Sequence, residues 1–164
     1  MPLALPTGTR CLIDANIFYY HFVETTPSDP CSDLLQRVLD GEIVGVTSTH
    51  LLSEAIHKIM LAEAAQRLAV PRAGLVSWLQ RQPQRIMDLS AFRQNSIAFA
   101  QMNLKILTVG LDALEEAAAL CQSVGLLMND ATTVALMRKE AIVDLATNDD
   151  DFDGVPGLRI WKPR

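Results

Sequence analysis

Five short apolar runs alternate with stretches of helical periodicity, and this alternation limits the fold more than any other feature. The runs are RCLIDANIF (10–18), EIVGVTST (42–49), LKILTV (104–109), AIVDLAT (141–147) and LRIW (158–161). Brief, partly β-branched runs of this kind read as strands buried on both faces. Between them, Ser28-Asp29-Pro30 offers capping chemistry for a helix to about Leu39, which Gly41 stops. From His50 to about Leu68, the residues Leu51, Leu52, Ala55, Ile59 and Ala62 recur at helical spacing. Pro71 opens a further helical stretch, and Pro83 opens another that reaches Met102. Asp112 to Val124 reads as an Ala-rich amphipathic helix ended by Gly125, and Asn129 caps a helix running to Glu140. Strands and helices in this order predict an α/β protein: a three-layer α/β/α sandwich with a mostly parallel central sheet. No internal repeat or Gly-, Ser- or Pro-rich linker divides the chain, so residues 1–164 are expected to form a single domain.

In open α/β sheets, ligands bind beyond the C-terminal ends of the strands. Four separated acids fall at such places. Asp14 lies at the C-terminal end of the first run with Asn16 two residues on, and Glu54 sits one turn into the helix after the second. Asp130 is in the first turn of the helix after Gly125, and Asp149 follows the fourth run after Thr147. Converging carboxylates repel, and some must take up protons unless a cation neutralises them. Mg²⁺ and Mn²⁺ are the hard divalent ions suited to oxygen ligands, and either can activate water against a phosphodiester. Each acid taken singly also fits ordinary turn or helix-start chemistry. Asp14 fits it least, because a carboxylate in an apolar run is costly unless paired or metal-bound.

The stretch TNDDDFDG (147–154) imitates the front of a calcium-binding EF-hand loop, D-x-D-x-D-G. The twelfth loop position, counted from Asp149, is Ile160 where a bidentate Glu is required, and the flanks read as strands. The calcium reading therefore fails. Asp150 and Asp153 are expected to be solvated, and Asp151 to be a secondary ligand or a cap for the turn into Phe152. Glu54-x-x-His57 has the spacing of a di-iron motif, but no second such motif exists, so His57 is read as a helix-face residue. Asn16 stands where haloacid-dehalogenase-like phosphatases need a second Asp.

Composition narrows the partners. No apolar stretch is long enough to span a bilayer, and MPLALPTGTR lacks the charged and hydrophobic regions of a signal peptide. Three widely spaced cysteines without a CxxC pair fit free thiols in a reducing cytoplasm. A net charge of −5 argues against a general nucleic-acid coating protein, though not against an enzyme that handles nucleic acid through metal ions.

With these residues in hand, the chain resembles PIN-domain ribonucleases, most closely the VapC-type toxins of toxin–antitoxin pairs. Four blocks carry the resemblance in order: LIDANIF, TSTHLLSEAIH, GLLMNDATTVALM and LATNDDDFDGVPGLRI. Asp14 matches the family's first acidic position and Asn16 its polar companion; Glu54 matches the second acid, and Asp130-Ala131 the helix start. Thr147, Asp149, Asp151 and Phe152 match its T-x-D-x-D-F pattern. The resemblance implies a Mg²⁺- or Mn²⁺-dependent endoribonuclease using one or two ions. Asp14, Asp130 and Asp149 would be the main ligands, and Glu54 would bind a second ion or position water. Asn16 and Thr147 would orient the carboxylates. It also implies an RNA substrate, a cognate antitoxin, a homodimer and a cytoplasmic location. Because global charge gives little pull on RNA, Arg67, Arg72, Arg81 and Arg85 are candidates for a basic wall, with a solvated helical face as the bland alternative. Trp78, Phe92 and Phe99 are candidates for the antitoxin groove. The remaining alternative is a PIN-like RNA-binding module, weakly active or inactive, with a structural cation.

Overall fold

Cys11, Leu12 and Ile13 are fully buried, and their strand, β1 (Arg10–Ile13), is the centre of the sheet in the computed structural model, which describes residues 1–23 and 26–163. β2 (Val44–Ser48) and β3 (Lys105–Leu107) lie on one side of it, and β4 (Asp144–Ala146) and β5 (Arg159–Trp161) on the other. The order is β3-β2-β1-β4-β5, and every pair is parallel. Parallel strands need long crossovers, and those between successive strands supply the helices. α1 (Ala15–Val23) and α2 (Ser28–Leu39) link β1 to β2. α3 (Thr49–Leu68), α4 (Leu75–Gln80), α5 (Pro83–Met87) and α6 (Ala91–Ala98) link β2 to β3. α7 (Leu111–Val124) and α8 (Met128–Lys139) return the chain across β1 to β4. The right-handed crossover rule puts the first six helices on one face and the last two on the other. Packing agrees: α1 meets α2 and α3, α3 meets α6, and α7 meets α8. The strand order reverses at β1 and β4, which makes their shared C-terminal end the switch point where such sheets form sites.

Three boundaries differ from expectation, each for a local reason. The first strand stops at Ile13 and does not run on to Phe18, because the Asp14 carboxylate accepts from the Ala15 N–H at 2.6 Å and the Asp14 carbonyl from the Ile17 N–H at 3.1 Å, which starts α1. The single helix expected from Pro83 to Met102 is two helices and a 3₁₀ turn over Phe99–Gln101. Glu63 of α3 causes the break: its carboxylate accepts from the N–H groups of Ser90 and Ala91, capping α6 from outside its own segment. Arg67 fastens the same corner by donating to Glu63 and to the Asp88 carbonyl. Finally, Asn129 lies inside the first turn of α8, and the cap position belongs to Leu127.

The main core packs α1, α2, α7 and α8 against the sheet. Phe99, expected to line a partner groove, belongs to that core and meets Phe18 and Phe22 edge to face at 5.2 and 5.5 Å. A second, smaller core lies under the C-terminal half of α3, where Ala64, Leu75, Leu79 and Leu89 are buried; Trp78 and Phe92 pack against it, half-buried.

Candidate active site

Register builds the centre of the site. Ile13 pairs with Ala146, so the next residues along the two strands, Asp14 and Thr147, face each other across the seam. The Thr147 hydroxyl donates to Asp14 Oδ2 at 2.6 Å and accepts from the Asp149 N–H at 3.0 Å. Asn16, on the first turn of α1, donates through Nδ2 to Asp14 Oδ2 at 2.6 Å and to Thr147 Oγ1 at 3.1 Å, while its Oδ1 accepts from the Asn148 N–H. One buried network thus fixes Asp14, Asn16, Thr147 and the start of the acidic turn.

Electrostatics reach further. Burial raises the Asp14 carboxyl from 3.8 to about 6 even though Thr147 and the Ala15 N–H stabilise its anion; Glu54 raises it further, and Lys58 opposes. Asp130 is also raised to about 6, first by burial and then by the charges of Asp149, Asp151 and Glu54, against a small opposing effect of Lys58. The charges of Glu54, Asp149 and Asp151 thus reach Asp130, and that of Glu54 also reaches Asp14. Their oxygens are occupied locally: Glu54 pairs with Lys58 at 2.7 Å, and Asp149 Oδ1 accepts from the Asp151 N–H at 3.0 Å. Among the described residues, no three acidic, His or Cys side chains are gathered into a metal-ligating group. As all-oxygen donors, these carboxylates suit a hard divalent cation in their chemistry.

The sequence model of the PIN domain matches residues 11–158. The chain belongs to the PIN domain family. A comparison with curated proteins gives no match. Solved structures share the fold of this PIN domain. A toxin–antitoxin complex from Klebsiella pneumoniae has 20% identity over 94% of this chain and 98% of its own, with a TM-score of 0.55. VapC20 from Mycobacterium tuberculosis, a sarcin–ricin-loop-cleaving toxin, has 16% identity over 90% and 96%, at 0.57. VapBC2 from Rickettsia felis, bound to a promoter DNA fragment, has 16% identity over 94% and 98%, at 0.56.

The acidic turn of the PIN domain has a basic partner that its local sequence does not contain. Asp150 and Asp153 are exposed, as expected, and both accept from Lys162, whose side chain is buried; the Asp153 contact is 2.7 Å. The 3₁₀ turn Asp150–Phe152 is capped by Asp149, while Asp151 is exposed and its charge acts on Asp130. The four arginines divide. Arg67 holds the Glu63–Asp88 corner, Arg81 and Arg85 are exposed on and beside the short helices, and Arg72 lines a cleft beside Asn16. His57 is exposed on α3, as expected.

Two residues near the site were given no role there from the sequence. His50 links Ser48 Oγ at 2.8 Å to Thr133 Oγ1 at 3.2 Å, tying α3, which carries Glu54, to α8, which carries Asp130. Lys58 brings a cation to Glu54, and its i,i+4 spacing from that acid was the available signal.

Proposed function

We propose that this PIN domain is a Mg²⁺- or Mn²⁺-dependent endoribonuclease that cleaves RNA phosphodiester bonds, and the toxin of a VapBC-type pair. The observation that carries this reading is the buried network that fixes Asp14 through Thr147 and Asn16 at the C-terminal ends of β1 and β4, together with Asp130, raised first by burial and then by the charges of Asp149, Asp151 and Glu54. Such a field favours a divalent cation on chemical grounds. Asp14, Asp130 and Asp149 would hold one ion, directly or through water, and Glu54 would hold a second ion or orient the attacking water. The bound metal would supply Lewis acidity and a lowered water pKa. Thr147 and Asn16 keep Asp14 in one orientation by hydrogen bonds to Oδ2, and Asp151 adds negative charge at the rim. Lys58 would leave Glu54 when the ion binds and would be free to meet a substrate phosphate.

The folds shared with toxin–antitoxin structures support an antitoxin partner; the homodimer is proposed from the resemblance to VapC-type toxins alone. Cleavage of labelled RNA by the purified protein tests the enzyme reading. Turnover in Mg²⁺ or Mn²⁺, absent in EDTA and abolished by Asp14→Asn, is expected. No turnover with either ion, or turnover indifferent to Asp14→Asn, would refute it.

A further inference from the structure

A cleft of about 250 Å³ opens directly beside the carboxylates, between α1, α3 and the loop before α4. Asn16, Tyr19, Tyr20, Lys58, Arg72 and Leu75 line it. It is joined to the site at both ends of its wall: Asn16 donates to Asp14, and Asn148 donates to the Tyr20 hydroxyl at 3.0 Å. The two tyrosines differ in their surroundings. Tyr20 packs against the main core, whereas Tyr19 stands outside both apolar cores, half-buried, with Arg72 donating to its hydroxyl at 2.8 Å.

The cations differ too. Lys58 is matched by Glu54, but among the described residues no carboxylate pairs with Arg72, although the chain carries a net charge of −5. Its guanidinium is exposed and rests on a phenol, which leaves its charge for an anion brought from outside. An aromatic ring whose hydroxyl edge is held by a cation, over an apolar floor, matches the repeat of a single-stranded nucleic acid: base, then phosphate. The volume lies below the roughly 300–1,000 Å³ of drug-sized ligand sites, which suits one nucleotide unit better than an extended segment.

We propose that this cleft is the subsite for one nucleotide flanking the scissile phosphate, its base stacked on Tyr19 and its phosphate on Arg72. The inference rests on the ribonuclease reading and adds how this acidic chain grips its substrate next to four carboxylates. A protein segment would be the competing occupant, and the links of the cleft to the acidic site through Asn16 and Asn148 favour the substrate.

Fluorescence anisotropy with a labelled single-stranded RNA in Ca²⁺, which neutralises the carboxylates without Mg²⁺ or Mn²⁺, tests the subsite apart from turnover. Arg72→Ala is expected to weaken binding about tenfold and to reduce the slope of log K against log salt by about 1. Tyr19→Ala should weaken it on the order of tenfold with the slope unchanged, whereas Tyr19→Phe, which keeps the ring, should bind within about twofold of wild type. Arg72 lies in an exposed loop, so its replacement does not threaten folding. Unchanged affinity and slope in both alanine variants, with wild type still binding and cleaving RNA, would overturn the subsite and leave the enzyme reading intact. Failure of the wild-type chain to bind RNA would overturn both.

Discussion

Thr147 donates its hydroxyl proton to Asp14 at 2.6 Å across the seam between β1 and β4, joining the ends of two strands 133 residues apart. Both side chains are buried, so the bond has no water to replace it. Thr147→Val keeps the shape and removes the donor, together with the acceptor for Asn16 and the Asp149 N–H. Unfolding in urea should show a loss of about 1–3 kcal/mol from stranded buried polar groups. Calorimetric titration should show Mn²⁺ affinity falling by about 10- to 100-fold, the usual effect of losing a group that orients a ligand. A variant weakened in stability but unchanged in Mn²⁺ affinity would remove Thr147 from the site.

The raised carboxyls set a direction for stability against pH. The folded chain holds the Asp14 proton more tightly than the unfolded chain does, with values of about 6 and 3.8. Its contribution is therefore complete below pH 3.8 and is lost as pH rises through about 6, amounting to roughly 3 kcal/mol for so buried a group. Asp130 acts in the same direction. Urea midpoints in EDTA should decline across this window, apart from the titration of other groups, and Asp14→Asn should flatten the decline. Mn²⁺ should restore stability above it, since the ion binds the deprotonated carboxylates.

Glu63 caps α6 from α3 through the N–H groups of Ser90 and Ala91. Glu63→Ala should cost about 1–2 kcal/mol, in the range of a lost helix cap. Hydrogen exchange should localise the change to the amides around residues 88–92, with the strands still protected. Uniform deprotection of the whole chain would contradict a local role.

The sheet was legible because its strands are short apolar runs bounded by polar turns, and their order alone places the carboxylates at one rim. The end of the first strand was not, since ANIF has the composition of a strand and only the bonds made by Asp14 turn it into a helix. The break before α6 depends on Glu63, 27 residues upstream, a contact no local pattern encodes. Asp150 and Asp153 are exposed as read, but their pairing with Lys162 was hidden because that lysine reaches them only after β5 has joined the sheet. The roles proposed for the four acids come from family resemblance; the fold adds the charge of Glu54 on Asp14 and those of Asp149, Asp151 and Glu54 on Asp130.

The central claim is that four acids distant in sequence hold one divalent-cation site. Diffraction from crystals soaked in Mn²⁺, with anomalous differences collected at the manganese edge, tests it most directly. A peak is expected among Asp14, Asp130 and Asp149, with Glu54 turned away from Lys58 toward the ion or a second one. A manganese peak elsewhere with none at these carboxylates, or no ordered ion at all, would contradict it.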